Sequence, residues 1–109
     1  MRKLPFYFIC LFFLGKAQTI PFVQAPGSPI NSNSAHRGLT SKDINGDGKL
    51  DLLVANPNNN TIRILLGAGN GQFTNAPGSP VTVNGGPIYI AVADFNGDSF
   101  LDLATANYF

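Results

Sequence analysis

Apolar residues in this chain come in short alternating runs, with glycine, proline and asparagine between them. Leu50, Leu52 and Val54 alternate with other residues, the period-two pattern of a half-buried strand. Pro57 and three consecutive asparagines, Asn58 to Asn60, then predict a turn. Residues 61–66 form the next β-rich run. Gly67-Ala68-Gly69-Asn70-Gly71 follows, and its Asn-Gly pair is a strong hairpin signal. Residues 72–76 read as the returning strand, which Pro77-Gly78-Ser79-Pro80 breaks. A further β-rich run covers residues 88–93. Beyond the amino-terminal segment, no stretch has convincing helical periodicity.

The same pattern recurs at a fixed offset of 51 residues. Residues 22–30 match residues 73–81, and residues 50–56 match residues 101–107, with no gap between the two anchors. A constant register across separate anchors marks a tandem repeat, and periods of this size belong to solenoids and propellers. One repeat holds four strands with no helix. The predicted fold is therefore all-β, built of antiparallel four-stranded blades of a β-propeller. The chain contains one whole repeat, a leading fourth strand at residues 20–25, and the first two strands of the next repeat. Complete propellers typically have about four to eight blades. About two blades are present, so the expectation is the front end of a longer protein, with a ring of associating short chains as the alternative. In a complete ring the leading strand would finish the last blade.

The loops joining first and second strands carry the candidate chemistry. They read Asp43-Ile44-Asn45-Gly46-Asp47-Gly48-Lys49-Leu50-Asp51 and Asp94-Phe95-Asn96-Gly97-Asp98-Ser99-Phe100-Leu101-Asp102. Oxygen-bearing side chains fall at positions 1, 3, 5 and 9 of each copy. A hard cation such as Ca²⁺ takes about six to eight oxygens at roughly 2.3–2.6 Å, and alternate residues of a curled loop aim inward. The position 7 residues, Lys49 and Phe100, have only backbone carbonyls to offer. A solvated Asp-Gly turn is the plainer alternative. An EF-hand also begins in this way, but it needs a glutamate at position 12 and flanking helices. Val54 and Thr105 stand at that position, between predicted strands.

Composition sharpens the metal reading. All six acidic residues are aspartates, and every one lies in these two loops. Three of the seven basic residues (Arg2, Lys3, Lys16) flank an apolar run from Leu4 to Leu14 that ends near Gly15-Lys16-Ala17. Residues 1–17 read as a secretory signal peptide, cleaved after Ala17. The run falls short of the ~20 residues that span a bilayer, so no stable membrane span is expected after cleavage. Residues 18–109 then carry four basic residues against six aspartates, a net −2, with no cysteine. There is no basic patch, and nucleic acid is not an expected partner. Secretion also favours calcium, which stays abundant outside cells.

These loops, the strand before each, and the Gly69-to-Phe73 hairpin resemble the FG-GAP/VCBS-type repeats of extracellular propellers, including integrin α-subunit blades. The resemblance covers the chain from about Ile20 onward. The Phe-Gly and Gly-Ala-Pro elements that name the family are not intact; Gly67-Ala68 and Ala76-Pro77 stand as remnants. That departure points to the bacterial-type branch rather than to an integrin. Membership implies that Asp43, Asn45, Asp47 and Asp51 bind one structural Ca²⁺ through side chains, with Lys49 giving its carbonyl. It implies the same for Asp94, Asn96, Asp98 and Asp102, with Phe100 as carbonyl donor. Ser99 departs from the glycine at position 6, which costs about 1 kcal/mol if φ must be positive.

The expected function is a secreted or surface-exposed scaffold that binds an extracellular protein or glycan. No enzyme activity is expected of these residues. His36 sits in a polar loop opposite Pro87 of the next repeat, and no nucleophile or acid-base arrangement accompanies it. The alternative is an accessory or catalytic propeller of a longer, polysaccharide-active enzyme. Phe73, Tyr89 and Phe95 are expected to pack between blades.

Overall fold

The computed structural model describes residues 23–30 and 35–109. Residues 1–17, expected to be a signal peptide, lie outside them. Among the described residues there are seven strands and no helix: β1 (Leu39–Lys42), β2 (Asp51–Asn56), β3 (Thr61–Gly67), β4 (Phe73–Asn75), β5 (Val81–Thr82), β6 (Pro87–Ala93) and β7 (Asp102–Asn107). Every ladder is antiparallel. The first sheet runs β1-β2-β3-β4, with β5 also paired to β3. The second contains β6 and β7. The chain is thus one four-stranded blade followed by the first two strands of the next, as the repeat predicts.

The turn chemistry explains the connections. Asn60 closes the β2–β3 hairpin with φ 54° and its N–H on Pro57 O, and asparagine tolerates that left-handed conformation. At the β3–β4 hairpin, Asn70 Oδ1 accepts the Gln72 N–H at 3.0 Å, and Ala68 N–H donates to Gln72 O.

The fourth strand differs from expectation. Pro77-Gly78-Ser79-Pro80 interrupts it without ending it. β4 pairs with Leu65–Gly67 at one end of β3, and β5 resumes against Thr61 and Ile62 at the other. Between them the chain leaves the ladder but keeps its partner strand satisfied. The Ala76 N–H donates to Ile64 O at 3.0 Å, and Ser79 Oγ accepts the Ile64 N–H at 2.8 Å. The leading segment has the same turn: Ser28 N–H donates to Ala25 O, as Ser79 N–H does to Ala76 O, each at 3.0 Å. Gly27 and Gly78 share a positive φ, and both Ser-Pro bonds are cis. The strand expected over residues 20–25 is not seen, however. Residues 20–22 lie outside the described residues, and Val23 to Ala25 join no ladder.

The core lies between the two sheets. Leu53, Ala55 and Ile62 are buried on one face of the first blade, against Ile90 and Val92 of β6. Leu52 and Val54 point to the opposite face and are half-buried, while Leu50 precedes β2 and is 64% exposed. The alternation seen in Leu50, Leu52 and Val54 is therefore real, but the other parity carries the core. Gly38 lets the blades approach: a Cβ there would strike the Ile88 carbonyl. Phe73 is half-buried, but Tyr89 is 71% exposed and Phe95 59% exposed. Tyr89 lies on the face of β6 turned away from the first sheet.

Candidate metal centre

Each aspartate loop hangs between the ends of two paired strands. Lys42 pairs with Asp51 at the base of the first loop, and Ala93 with Asp102 at the base of the second. Strand pairing thus sets the span that eight intervening residues must cross, and the loop crosses it by turning on its own side chains. Asp43 Oδ1 accepts the N–H groups of Gly46 (2.8 Å) and Asp47 (3.2 Å), and Oδ2 accepts that of Gly48 at 2.8 Å. Asn45 Oδ1 accepts the Asp47 N–H, and Asp47 Oδ1 the Lys49 N–H, at 3.0 and 2.9 Å. Gly46 and Gly48 hold φ of 76° and 80°, which a Cβ would resist.

The second loop repeats this pattern bond for bond. Asp94 Oδ1 accepts from Gly97 and Asp98, Asp94 Oδ2 from Ser99, Asn96 Oδ1 from Asp98, and Asp98 Oδ1 from Phe100. Ser99 takes φ 72° in the place of Gly48. The sequence-based condition is met: the position does need a positive φ, and serine occupies it.

Asp51 behaves differently from the other acids of its loop. It is fully buried, with Oδ1 accepting the Gly67 N–H at 2.8 Å and Oδ2 the Ile44 N–H at 2.9 Å. Its counterpart Asp102 is half-buried and accepts the Phe95 N–H through Oδ2.

These short amide contacts favour the charged form of the carboxylates. The Lys49 N–H holds Asp47 below the ordinary aspartate range, helped by the Asn45 amide and the Lys49 charge. Asp94 is lowered chiefly by the Ser99 N–H, with Gly97 and Asp98 acting in the same sense.

A family model described as the FG-GAP-like repeat matches residues 43–105, from the first residue of the first loop into β7. The chain belongs to this family. No curated protein and no solved structure matches it.

Whether an FG-GAP-like loop of this composition suits a hard cation is a question of free oxygen lone pairs. Each carboxylate oxygen has two. Both on Asp43 Oδ1 are taken by amides, but Asp43 Oδ2, Asn45 Oδ1 and both oxygens of Asp47 each accept a single hydrogen bond. Asp51 likewise keeps one lone pair on each oxygen. The donor set is all oxygen and fits calcium chemistry. Among the described residues no three acidic, histidine or cysteine side chains stand together as a metal-holding group. In each loop the acids accept hydrogen bonds from nearby amides.

The role of Asp51 toward Gly67 was missed from the sequence, yet a signal for it exists. Asp51 has the same parity as Leu53 and Ala55, so the alternation that buries those residues buries its carboxylate too.

Proposed function

We propose that this FG-GAP-like chain is a calcium-stabilised, extracytoplasmic binding module whose rigid blades present loops to an extracellular protein or glycan. The observation that supports this reading best is the bond-for-bond repetition of one aspartate loop, retained even where serine must adopt a glycine conformation. A plain solvated turn places no such demand on two sites at once. In the proposed sites, Asp43, Asn45, Asp47 and Asp51, with the Lys49 carbonyl, hold one Ca²⁺; Asp94, Asn96, Asp98 and Asp102, with the Phe100 carbonyl, hold another. The ion supplies the positive charge that lets the carboxylates of a loop share one centre. Its role is structural, securing the connection between first and second strands. The loops then form the anchored end of each blade, and binding falls to the opposite end.

Calorimetric calcium titration and thermal melting test the proposal. Two sites are expected. At free calcium a hundredfold above the dissociation constant, each contributes about 2.7 kcal/mol. A melting temperature unchanged by chelator, with no heat of calcium binding, overturns it.

A further inference from the structure

The dipeptide Asn-Gly occurs four times in this chain, at Asn45-Gly46, Asn70-Gly71, Asn84-Gly85 and Asn96-Gly97. In this pair an asparagine side chain reacts readily with its own backbone, because glycine has no Cβ to hold the next nitrogen away. The glycine nitrogen attacks the side-chain Cγ and forms a C–N bond, its proton passing to solvent. The side-chain amide leaves as ammonia, and a five-membered succinimide remains. Water then opens the ring to aspartate or isoaspartate. Two local conditions favour the reaction. One is an N–H donor on Oδ1, which stabilises the oxyanion formed on attack. The other is a glycine nitrogen that is not committed elsewhere.

The structure divides the four pairs. Asn45, Asn70 and Asn96 share the first condition, since each Oδ1 accepts the N–H two positions on: Asp47 at 3.0 Å, Gln72 at 3.0 Å and Asp98 at 2.9 Å. In both aspartate loops the second condition fails. The Gly46 N–H donates to Asp43 Oδ1 at 2.8 Å, and the Gly97 N–H to Asp94 Oδ1 at 2.7 Å. Each of these nitrogens must abandon a charge-assisted hydrogen bond before it attacks. At the β3–β4 hairpin, no described residue accepts the Gly71 N–H, and Asn70 and Gly71 are both exposed to water. Asn84 fails the first condition. Its backbone carbonyl accepts the Asn107 side-chain amide, but no N–H among the described residues reaches its Oδ1.

We infer that Asn70 is a site of spontaneous deamidation, and that Asp43 and Asp94 spare Asn45 and Asn96 from the same reaction. The product places a carboxylate at the hairpin tip, beside the first aspartate loop. The Lys49 stem already lies against that hairpin, where its Cγ and Cδ would stand 3.3 Å from a Cβ on Gly69. The reaction therefore adds a negative charge one residue from the Lys49 contact. Isoaspartate also lengthens the backbone of a turn that Asn-Gly closes.

The test follows the four pairs by peptide mass spectrometry as the chain ages at neutral pH in chelator, which keeps metal from shielding Asn45 and Asn96. Asn70 is expected to convert about tenfold or more faster than Asn45 and Asn96, the rate equivalent of one hydrogen bond to a charged acceptor. It should outpace Asn84, which lacks a donor on its carbonyl, by at least about threefold. In urea sufficient to unfold the chain, the four rates are expected to converge to within about twofold, because no fixed hydrogen bond then separates them. Asp43→Ala is expected to raise the Asn45 rate towards that of Asn70, while Asn96 in the untouched second loop stays slow. Asn45 or Asn96 keeping pace with Asn70 in the folded chain, a rate order unchanged by urea, or a slow Asn45 in Asp43→Ala would each overturn the inference. None of these outcomes depends on whether calcium binds, so the metal sites stand or fall separately.

Discussion

The Asp51 carboxylate reaches the Gly67 amide sixteen residues away, accepting its N–H at 2.8 Å in a fully buried position. Its other oxygen takes the N–H of Ile44, the second residue of the aspartate loop. One side chain therefore ties the loop to the far end of β3. Gly67 makes the approach possible, since a Cβ there would collide with the Leu50 carbonyl.

Removing this tie leaves two backbone N–H groups unsatisfied, each at about 1–3 kcal/mol. Asp51→Ala measured in chelator, where calcium plays no part, is expected to lose about 2–6 kcal/mol in urea denaturation. Asp102→Ala frees one N–H at an exposed loop and is expected to cost under about 1.5 kcal/mol. Equal losses would remove the distinction between the two aspartates.

Ser99 occupies the left-handed region at φ 72°, where its counterpart Gly48 sits at 80°. Ser99→Gly is expected to gain about 0.5–1 kcal/mol, the relief of backbone strain less the added freedom of the unfolded chain. Gly48→Ser should lose a similar amount. Denaturation midpoints of the two variants moving in the same direction would contradict this.

Gly38 is the repeat counterpart of Tyr89, and it faces the Ile88 carbonyl across the blade junction. Gly38→Ala must push the blades apart and is expected to destabilise by about 1–3 kcal/mol. Because β6 is displaced, amide exchange should quicken at Ile90 and Val92 more than within β2–β3. Uniform exchange would argue against a junction effect.

Ile62 is buried between the sheets, whereas Leu39 is 66% exposed on the other face. Ile62→Ala is expected to cost about 2–5 kcal/mol through lost burial and the cavity left behind. Leu39→Ala should change stability by less than about 0.5 kcal/mol. Comparable losses from both would place the core on the wrong face of the blade.

Much of this molecule was legible in the chain itself. The offset between Asp43 and Asp94, the order of strands, the turn at Asn58 to Asn60 and the hairpin at Asn70-Gly71 all follow from neighbouring residues. So does the curl of each loop, because Asp43 and Asp94 hydrogen-bond amides no more than five residues away. Such contacts are set by local backbone preference and short side chains, which a sequence displays directly. The tertiary structure alone decided the rest. It chose Leu53 and Ala55 over Leu52 and Val54 for the buried face and carried the fourth strand on past Pro80. It also brought Arg37 into one groove with Tyr108 and Phe109, more than seventy positions further along the chain. Alternation shows that a strand has two faces, but only the packing of one sheet on another decides which of them loses its water.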